Sequence, residues 1–392
     1  MSDRNVLLDV TRLIWRVWSG RLPTGIDRVC LAYLDHYGPR ALAVLQHKKL
    51  RLVLSARHSD RLFSILREGG PGFRGKVIAL LATAAISGRQ RASTRGWIYL
   101  NVGHTGLDNP TMVAWLKAKQ WKPVFLVCDL IPISHPQFCR PGEDAKHRRR
   151  MQTVLDSAAS VIVISAATGE ALAEFAIECG KGVPPMQVAW LGSDEPVEAA
   201  ELPYYSRPYF VTVGTIEGRK NHILLLRLWE RLVAELGDKA PELVVIGQRG
   251  WEADEVFALL ENSPVLAGHV RELGRCDDAT MLAWLDQARA VLMPSFIEGF
   301  GIPVIEALQR GAPVIASNLP VFREIAGDIP LYIDPNDLNR WEAAVRAYCA
   351  DAPDRNRQMA NVGSFHVPTW SEHFTQVDEL LKRLLKGSHS AH

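Results

Sequence analysis

Fifteen residues decide the fold of this 392-residue chain: Pro294-Ser295-Phe296-Ile297-Glu298-Gly299-Phe300-Gly301-Ile302-Pro303-Val304-Ile305-Glu306-Ala307-Leu308. They follow an apolar run that ends at Met293 and predict a β-strand, a glycine loop and an α-helix. Gly299 and Gly301 let the backbone approach a ligand closely, and Pro303 suits the first turn of a helix. Because a helix that starts at the edge of a sheet presents N–H groups and partial positive charge, this stretch predicts an anion-binding βα unit.

Short apolar runs alternate with helical patterns along the chain, which is typical of βα units around parallel sheets. The first series of predicted strands is Val6–Asp9, Ala41–Leu45, Trp97–Val102, Val124–Cys128 and Val161–Ser165. The second series is Tyr209–Gly214, Leu243–Gly247, Val270–Leu273, Ala290–Pro294, Pro313–Ser317 and Leu331–Ile333. We therefore predict an α/β protein of two domains, which a length of 392 residues also favours.

A stretch with three prolines, 193–208, separates the two series and sets the predicted domain boundary. Apolar residues recur at helical spacing over Ser371–Leu385, and we expect this helix to pack on another surface. The expected divisions are a domain at 1–200, a domain at 201–365, a helix at 366–386 and a disordered tail at 387–392.

The composition excludes several classes of protein. Lys and Arg number 45 against 43 Asp and Glu, so the net charge of +2 gives no argument for nucleic-acid binding. The six cysteines lie far apart without zinc-type spacing, which favours a reduced, cytoplasmic protein. Residues 1–8 lack the apolar core of a signal peptide. The longest apolar run, Val77–Ile86, is about half the roughly 20 residues that cross a bilayer, so we expect no transmembrane segment.

The deciding stretch holds two carboxylates, Glu298 and Glu306, eight residues apart. Glu298 lies in the glycine loop, where it can accept hydrogen bonds from the hydroxyl groups of a bound sugar. Glu306 lies about one turn into the helix and can reach a ribose nearby. The alternative is an ordinary βα connection with solvated acidic side chains, and the glycine loop alone does not decide between the two.

A second motif, Gly214-Thr215-Ile216-Glu217-Gly218-Arg219-Lys220-Asn221, begins where the first strand of the second domain ends. Ligands of open α/β sheets bind beyond the carboxyl ends of the strands, where Arg219 and Lys220 could neutralise a diphosphate. The alternative is two ordinary exposed charges in the first turn of a helix. Cations oppose the dipole of a helix N-terminus unless an anion is bound there, so the motif favours a binding function.

Both motifs, in this order, resemble those of the retaining glycosyltransferases of family 4. Glu298 and Glu306 match the Glu-x7-Glu motif of that family, and residues 214–221 are similar to its GTxEPRKN phosphate motif. Gly218 stands where proline is usual, and we expect this change to loosen the turn. The resemblance implies the GT-B fold: two Rossmann-like, doubly wound domains facing a central cleft, with a C-terminal helix that crosses back to the N-terminal domain.

The N-terminal half carries weaker parts of the same resemblance. Residues 23–29 resemble the family's glycine loop, which assigns Gly25 to the donor site, although a simple turn explains this piece equally well. Cys128-Asp129-Leu130 is similar to the family's His-Asp-Leu segment and makes Asp129 a catalytic candidate. Because Cys128 replaces the usual histidine, His104 or His135 is assigned to the acceptor site instead, with a structural role as the alternative for each.

The resemblance implies transfer of a sugar from a nucleotide diphosphate donor to an acceptor hydroxyl, with the anomeric configuration retained. Its catalytic residues here would be Glu298, Arg219, Lys220 and Asp129. Its donor-binding residues would be Gly25, Gly214, Thr215, Gly247, Arg275, Gly299, Phe300, Gly301 and Glu306, with the base between Gly247 and Arg275. Because cations already face the leaving diphosphate, we expect no metal and no other cofactor.

Two routes remain open for the chemistry. In a front-side departure, the phosphate oxygens of the leaving group take the acceptor proton. A double displacement would need a carboxylate nucleophile beside the anomeric carbon, and nothing in the sequence singles one out. We favour the front-side route.

Donor and acceptor are predicted from the same resemblance. The turn at 214–221 is similar to that of family members that use GDP-mannose, and the family's acceptors imply a growing, lipid-linked bacterial surface polysaccharide at the cytoplasmic face. Residues 47–95 carry eleven Lys or Arg against two acidic residues, a net charge of +9 that could lie on an anionic membrane. A solvated basic face is the alternative.

Two other functions are alternatives to sugar transfer, and the sequence excludes one of them. A catalytically silent nucleotide-sugar-binding scaffold for a partner enzyme stays open, because a fold alone does not guarantee turnover. A dinucleotide-dependent dehydrogenase is excluded, because neither half carries a GxGxxG turn after an early strand.

Overall fold

A computed structural model describes residues 4–19, 25–48, 50–87, 93–193, 197–202, 205 and 207–386. The described residues fall into two compact units. The N-terminal unit comprises residues within 1–130, 145–191 and 370–392, and the C-terminal unit comprises residues within 131–144 and 192–369. The predicted disordered tail lies outside the described residues.

The N-terminal unit is built on a seven-stranded sheet of order β3-β2-β1-β4-β5-β6-β7. Its strands are β1 (Val6–Asp9), β2 (Ala41–His47), β3 (Leu50–Val53), β4 (Ile98–Asn101), β5 (Lys122–Val127), β6 (Ser160–Val163) and β7 (Met186–Val188). All neighbours pair in parallel except β2 and β3, which form an antiparallel pair.

The C-terminal unit is built on a six-stranded sheet, entirely parallel, of order β10-β9-β8-β11-β12-β13. Its strands are β8 (Tyr209–Val213), β9 (Glu242–Ile246), β10 (Val270–Gly274), β11 (Val291–Met293), β12 (Val314–Ser317) and β13 (Leu331–Ile333). Counted within the unit, this is the doubly wound order 3-2-1-4-5-6, which confirms the predicted Rossmann-like architecture.

Helices alternate with these strands through both units. They are α1 (Thr11–Trp18), α2 (Gly25–Tyr37), α3 (Ala56–Glu68), α4 (Phe73–Ser87), α5 (Met112–Lys119), α6 (Ile131–Ser134), α7 (Glu143–Ser157), α8 (Ala166–Glu178), α9 (His222–Leu236), α10 (Asp254–Asn262), α11 (Asp278–Asp286), α12 (Ile302–Gln309), α13 (Pro320–Ala326), α14 (Leu338–Tyr348), α15 (Pro353–Asn361) and α16 (Trp370–Lys386). Short 3₁₀ turns include Pro136–Phe138 and Gly218–Lys220. In the part of the chain that the structure describes, no helix has the length and apolar character needed to span a bilayer.

The strands have the composition of buried parallel strands, rich in Val, Ile and Leu. Every residue of β1, β4, β9 and β12 is buried, so side chains pack on both faces of each sheet. In the C-terminal unit, Trp229 of α9 and Trp341 of α14 are fully buried in the core, and the Trp229 indole donates to the Pro241 carbonyl oxygen at 2.9 Å. Burial of these large side chains supplies much of the unit's hydrophobic stabilisation.

The predicted C-terminal amphipathic helix is observed as α16, which groups with the N-terminal unit. Its His373 ring lies 2.8 Å from the Tyr33 hydroxyl, and its Phe374 ring stacks on His36 at 4.0 Å between centroids. Asp378 of the same helix accepts a hydrogen bond from the Tyr37 hydroxyl at 2.9 Å. The helix therefore completes the core of the N-terminal unit with both apolar and polar contacts.

Candidate active site

The fold brings the two predicted motifs together at one edge of the C-terminal sheet. The strand order reverses between β8 and β11, and ligands of such sheets bind at this switch point. The first motif, 214–221, follows β8, and the glycine loop 295–301 follows β11. The backbone N–H of Phe296 donates to the Arg219 carbonyl oxygen at 2.8 Å, so the two loops are joined directly.

Glu298 is the centre of this edge. One carboxylate oxygen, Oε2, accepts a hydrogen bond from Arg219 Nη1 at 2.5 Å. The other, Oε1, accepts from Lys220 Nζ at 2.5 Å and from Ser295 Oγ at 2.8 Å. The side chains of Glu298 and Lys220 are only 6% and 9% exposed, so water competes little for these contacts. The structure thus brings three of the four predicted catalytic residues into one ion cluster.

Arg219 is held on a second side as well. Its Nη2 lies 2.7 Å from Glu217 Oε1, and its Nη1 also donates to the Ile297 carbonyl oxygen at 3.2 Å. Glu217 is 4% exposed, whereas Arg219 is 22% exposed. The guanidinium is therefore oriented by buried groups before any ligand arrives, which is the preorganisation that stabilises charge in a transition state.

The charge state of Glu298 follows from these partners. Burial alone would raise the pKa of this carboxyl, but the positive charges of Arg219 and Lys220 and the hydrogen bonds that it accepts lower its pKa to about 2. Burial lowers the pKa of Lys220, and the charge of Glu298 opposes that shift. Glu298 is therefore ionised at neutral pH, and so weak a base is a poor proton acceptor.

Two glycines of the site occupy positions that disfavour a side chain, Gly214 through its positive φ and Gly247 through close approach of the backbone. Gly214 has φ +140° and lies against the Lys220 side chain, whose Cε would be 3.3 Å from a Cβ at that position. A Cβ on Gly247, which follows β9, would overlap the carbonyl oxygen of Gly214. Any side chain at 247 would therefore push the first motif away from the sheet.

The expectation that Gly218 loosens its turn is wrong. The turn 218–220 is closed by a hydrogen bond from the Asn221 N–H to the Gly218 carbonyl oxygen at 3.2 Å. The Gly218 N–H donates to the Trp251 carbonyl oxygen at 3.3 Å, a bond that proline could not make. A Cβ at 218 would lie 2.7 Å from the Glu252 carbonyl oxygen and 3.3 Å from Phe138 Cδ1. Glycine is therefore needed here because neighbouring groups occupy the space of a side chain.

The remaining donor-site candidates of the C-terminal unit lie in α12 or in loops that follow strands of the same sheet. Gly301 precedes α12 and has φ +118°, Phe300 is buried, and Glu306 is half-buried inside the helix. Arg275 is exposed directly after β10, where the N–H of Gly247 donates to the Gly274 carbonyl oxygen at 2.8 Å. The binding roles of these residues, including Thr215 and Gly299, stay predictions.

The N-terminal unit holds three other candidates, Gly25, Asp129 and His104. Gly25 is exposed at the start of α2. The His147 ring lies 3.1 Å from the Asp129 carbonyl oxygen and 5.9 Å from the His104 ring. His104 Nε2 lies 2.7 Å from the Leu126 carbonyl oxygen, and burial lowers its pKa to about 3. These features suit a neutral, structural histidine.

His135, the other acceptor candidate, belongs to the C-terminal unit and is half-buried. Its ring stacks on Phe138 at 6.2 Å, and its Nδ1 lies 2.9 Å from the Ser134 hydroxyl.

Sequence reasoning missed three residues that this site uses: Ser295, Phe138 and Trp251. Ser295 lay inside the quoted stretch, but a serine near a strand end carries no signal of its own. No motif pointed to Phe138 or Trp251.

The fold and the matched family define the class of protein that this chain resembles. Residues 195–363 match the family model of glycosyl transferases group 1, in agreement with the resemblance of the two sequence motifs. A solved structure, that of Anabaena HepE in complex with UDP, covers 97% of this chain and 100% of its own, with a TM-score of 0.65 at 15% identity. Its likeness confirms the predicted GT-B fold class.

Curated relatives are similar over shorter stretches. O-antigen chain mannosyltransferase B of Escherichia coli is 38% identical over 137 residues, which are 35% of each chain. A serotype-specific mannosyltransferase of Escherichia coli is 27% identical over 238 residues, 57% of this chain and 29% of that protein. The chain thus spans about a third of the length of these relatives.

Proposed function

We propose that the chain is a hexosyltransferase that moves mannose from GDP-mannose to a hydroxyl of a growing, lipid-linked bacterial surface polysaccharide. The observation that carries the proposal is the buried Glu298–Arg219–Lys220 cluster at the switch point of the C-terminal sheet. The chain is similar to an O-antigen chain mannosyltransferase and to a serotype-specific mannosyltransferase, and these names support mannose as the sugar and a surface polysaccharide as the product.

The cluster supplies what departure of a diphosphate needs. Negative charge grows on the diphosphate as the bond to the sugar breaks, and Arg219, being oriented and partly exposed, can meet it at low reorganisation cost. Glu298 fixes both cations and offers its carboxylate to sugar hydroxyls. Its pKa of about 2 argues against Glu298 as the group that takes the acceptor proton. We therefore assign that proton to a phosphate oxygen of the leaving group, in a front-side departure with retention.

The first test is donor binding measured as thermal stabilisation. The purified chain is heated with GDP-mannose, UDP-glucose, UDP-galactose or UDP-N-acetylglucosamine, each with and without EDTA. A ligand at 100 times its Kd stabilises a folded protein by about 2.7 kcal/mol. We expect a rise in Tm with GDP-mannose that EDTA does not reduce. A rise with another donor would replace mannose, and loss of the rise in EDTA would overturn metal independence.

Transfer is tested separately from binding, because a silent scaffold would also be stabilised by its ligand. The assay measures GDP release from GDP-mannose in the presence and absence of a membrane extract that contains lipid-linked glycan. Release that depends on the extract supports the transferase. Tight donor binding without any release would favour the scaffold.

Contact with an anionic membrane is part of the proposal, and a patch of the N-terminal unit supports it. Trp15 of α1, Leu50 of β3 and Ile78 of α4 are 48%, 61% and 56% exposed. The Trp15 ring lies 5.5 Å from His47, which pairs with Leu50. Exposed apolar side chains beside cations fit the interface of an anionic bilayer.

The basic excess of the segment 47–95 is smaller at this surface than its composition indicates. Arg67 pairs at 2.6 Å with Asp35, which lies outside the segment, so one unit of the net charge is neutralised. The pair of Lys76 with Glu68 at 3.0 Å is already counted within the segment. Arg74 donates to the Trp18 carbonyl oxygen at 2.6 Å and stands 5.7 Å from the Trp18 ring. Cations at 48, 57 and 61 are exposed. Binding should therefore need apolar insertion as well as charge.

Vesicle sedimentation tests this surface. We expect binding to vesicles that contain phosphatidylglycerol, little binding to pure phosphatidylcholine, and a several-fold loss for Leu50→Ser. The matched control is Ile177→Ser, because Ile177 is a 73% exposed aliphatic residue on α8 of the same unit. Equal losses from the two variants would overturn this surface.

A further inference from the structure

A segment from the middle of the chain belongs to the C-terminal unit although its sequence neighbours do not. Residues 131–144 group with the C-terminal unit, whereas residues up to 130 and from 145 to 191 group with the N-terminal unit. We call 131–144 the inserted segment. It contains α6, the turn Pro136–Phe138 and three prolines, at 132, 136 and 141. Proline fixes φ and lowers the entropy that ordering the segment costs.

Phe138 is the residue by which the inserted segment meets the active site. Its ring lies parallel to that of Phe296, 5.3 Å away with an interplanar angle of 5°. Its carbonyl oxygen accepts a hydrogen bond from the Trp251 indole at 3.1 Å. Its Cδ1 would be 3.3 Å from a Cβ at Gly218. One side chain therefore contacts the loop after β11 and the turn after β8, while its backbone holds the loop after β9.

The contacted residues Phe296 and Gly218 lie within two residues of a member of the ion cluster. Phe296 stands two residues before Glu298, and its N–H donates to the Arg219 carbonyl oxygen at 2.8 Å. Gly218 directly precedes Arg219 and is itself bonded to the Trp251 carbonyl oxygen at 3.3 Å. Arg140, also in the inserted segment, places its guanidinium 4.8 Å from the Trp251 ring. The segment thus holds three loops in one arrangement by stacking and hydrogen bonding.

We propose that Phe138 is a positioning residue for the transfer reaction: by resting on Phe296 and filling the space beside Gly218, it fixes the placement of Arg219 and Glu298. This inference rests on the proposed function and deepens it. It also explains why glycine suits position 218 in this chain, because the space of a side chain there is taken by Phe138 and the Glu252 backbone.

The expected effect of losing this contact is on rate. A displacement of a catalytic group by about 1 Å can cost about 100-fold in rate, and a partial displacement costs less. Phe138→Ala should therefore lower kcat by about tenfold, with KM changed less than twofold because Phe138 is not proposed to touch the donor. Phe138→Tyr keeps the stacking ring and should restore most of kcat. Gln137→Ala, an exposed neighbour in the same turn, should leave kcat and KM at wild-type values.

A double-mutant cycle tests the stack without any substrate. Free energies of unfolding are measured for wild type, Phe138→Ala, Phe296→Ala and the double variant. If the rings stack, the double variant is less destabilised than the two single effects added together. Additive effects would show that the contact does not exist and would overturn the inference.

The two experiments separate this inference from the proposed function. If wild type transfers the sugar and Phe138→Ala has the same kcat as wild type, the positioning role is overturned and the proposed function stands. A purely structural role would lower the Tm of Phe138→Ala while the folded fraction kept wild-type kcat, which also overturns it. If wild type neither binds nor uses any of the four donors while the cycle is non-additive, the proposed function fails, and with it any role of Phe138 in transfer.

Discussion

The switch point of each unit carries a buried acidic side chain, but the two side chains follow different strands and lie in opposite electrostatic surroundings. In the C-terminal unit, Glu298 follows β11 and contacts two cations. In the N-terminal unit, Asp9 ends β1, next to β4, and its hydrogen-bond donors among the described residues are neutral: the Thr11 N–H at 3.0 Å, the Gln46 amide at 2.5 Å and the Tyr99 hydroxyl at 2.8 Å. Burial raises the pKa of Asp9, whereas that of Glu298 is lowered to about 2.

Burial does not explain the difference, because Asp9 is 8% exposed and the Glu298 side chain 6%. The charge of the partners does: a cation favours the ionised carboxylate far more than a neutral donor does. The switch point of the C-terminal unit therefore holds an ionised carboxylate paired with two cations, whereas that of the N-terminal unit holds a buried carboxyl group with neutral hydrogen-bond donors. The first arrangement is suited to charged donors such as nucleotide sugars.

The largest expected effect is the loss of kcat when the negative charge of the C-terminal ion cluster is removed. Glu298→Gln keeps the shape of the side chain but removes its charge, so Arg219 and Lys220 lose the carboxylate that they share, and Arg219 keeps only Glu217 as a charged partner among the contacts described above. We expect kcat to fall by about 100-fold or more, as when a preorganised polar group is removed from an active site. Steady-state transfer from GDP-mannose, with circular dichroism to confirm folding, measures the effect.

Asp9→Asn is the matched control for this loss, as an isosteric change at the other switch point. It should change kcat much less, because the donors to Asp9 are neutral and the nearest cation of the network, Arg51, donates to Gln46 and not to Asp9. Full activity of Glu298→Gln would contradict the assigned role of the carboxylate. Equal losses in both variants would contradict the contrast between the two units.

The C-terminal cluster could be predicted from the sequence because its parts are local motifs. Arg219 and Lys220 are adjacent, and Glu298 lies in a glycine loop between a strand and a helix, so the strand ends of a parallel sheet bring them together. All strands of the two sheets except β3 and β7 were predicted with bounds close to those observed, because buried parallel strands are continuous apolar runs. The contacts that set the pKa of Glu298 needed the structure.

Other features carried no local signal. The edge strand β3 is half-exposed and β7 has three residues, so neither forms an apolar run. The Asp9 network joins residues 37 and 90 positions apart in the sequence, and Phe138 reaches Phe296 from a segment flanked by N-terminal-unit residues. Such contacts depend on tertiary packing between distant positions, which composition and periodicity do not encode.

A smaller effect is the pH dependence of stability that His104 causes. Burial keeps this histidine of the N-terminal unit uncharged. The pKa of His104 is lowered to about 3 from 6.5, so the unfolded chain binds its proton first as the pH falls. Stability from this group is present above pH 6.5 and is lost below it, by about 2 kcal/mol between pH 7 and pH 5. Urea unfolding of wild type and His104→Asn at both pH values measures the difference; asparagine tolerates the φ of +57° at this position.

Titration of the other histidines cancels in that comparison, because it is common to both chains. The variant should therefore lose about 2 kcal/mol less than wild type between pH 7 and pH 5. An identical loss in both chains would mean that His104 is accessible to protons in the folded state, and its assignment to the acceptor site would gain support.

The smallest effect concerns stability alone. The contribution of each carboxylate to the free energy of unfolding should change with pH in opposite directions for Asp9 and Glu298. The folded pKa of Asp9 is raised above 3.8, so the unfolded chain loses its proton first as the pH rises, and wild type should lose stability relative to Asp9→Asn between pH 4 and pH 7. The folded pKa of Glu298 is below 4.5, so wild type should gain stability relative to Glu298→Gln as the pH rises from 2 to 5. Urea unfolding at matched pH values gives both slopes. Slopes of the same sign would mean that neutral donors hold an anion as well as cations do, and the electrostatic distinction between the two switch points would fail.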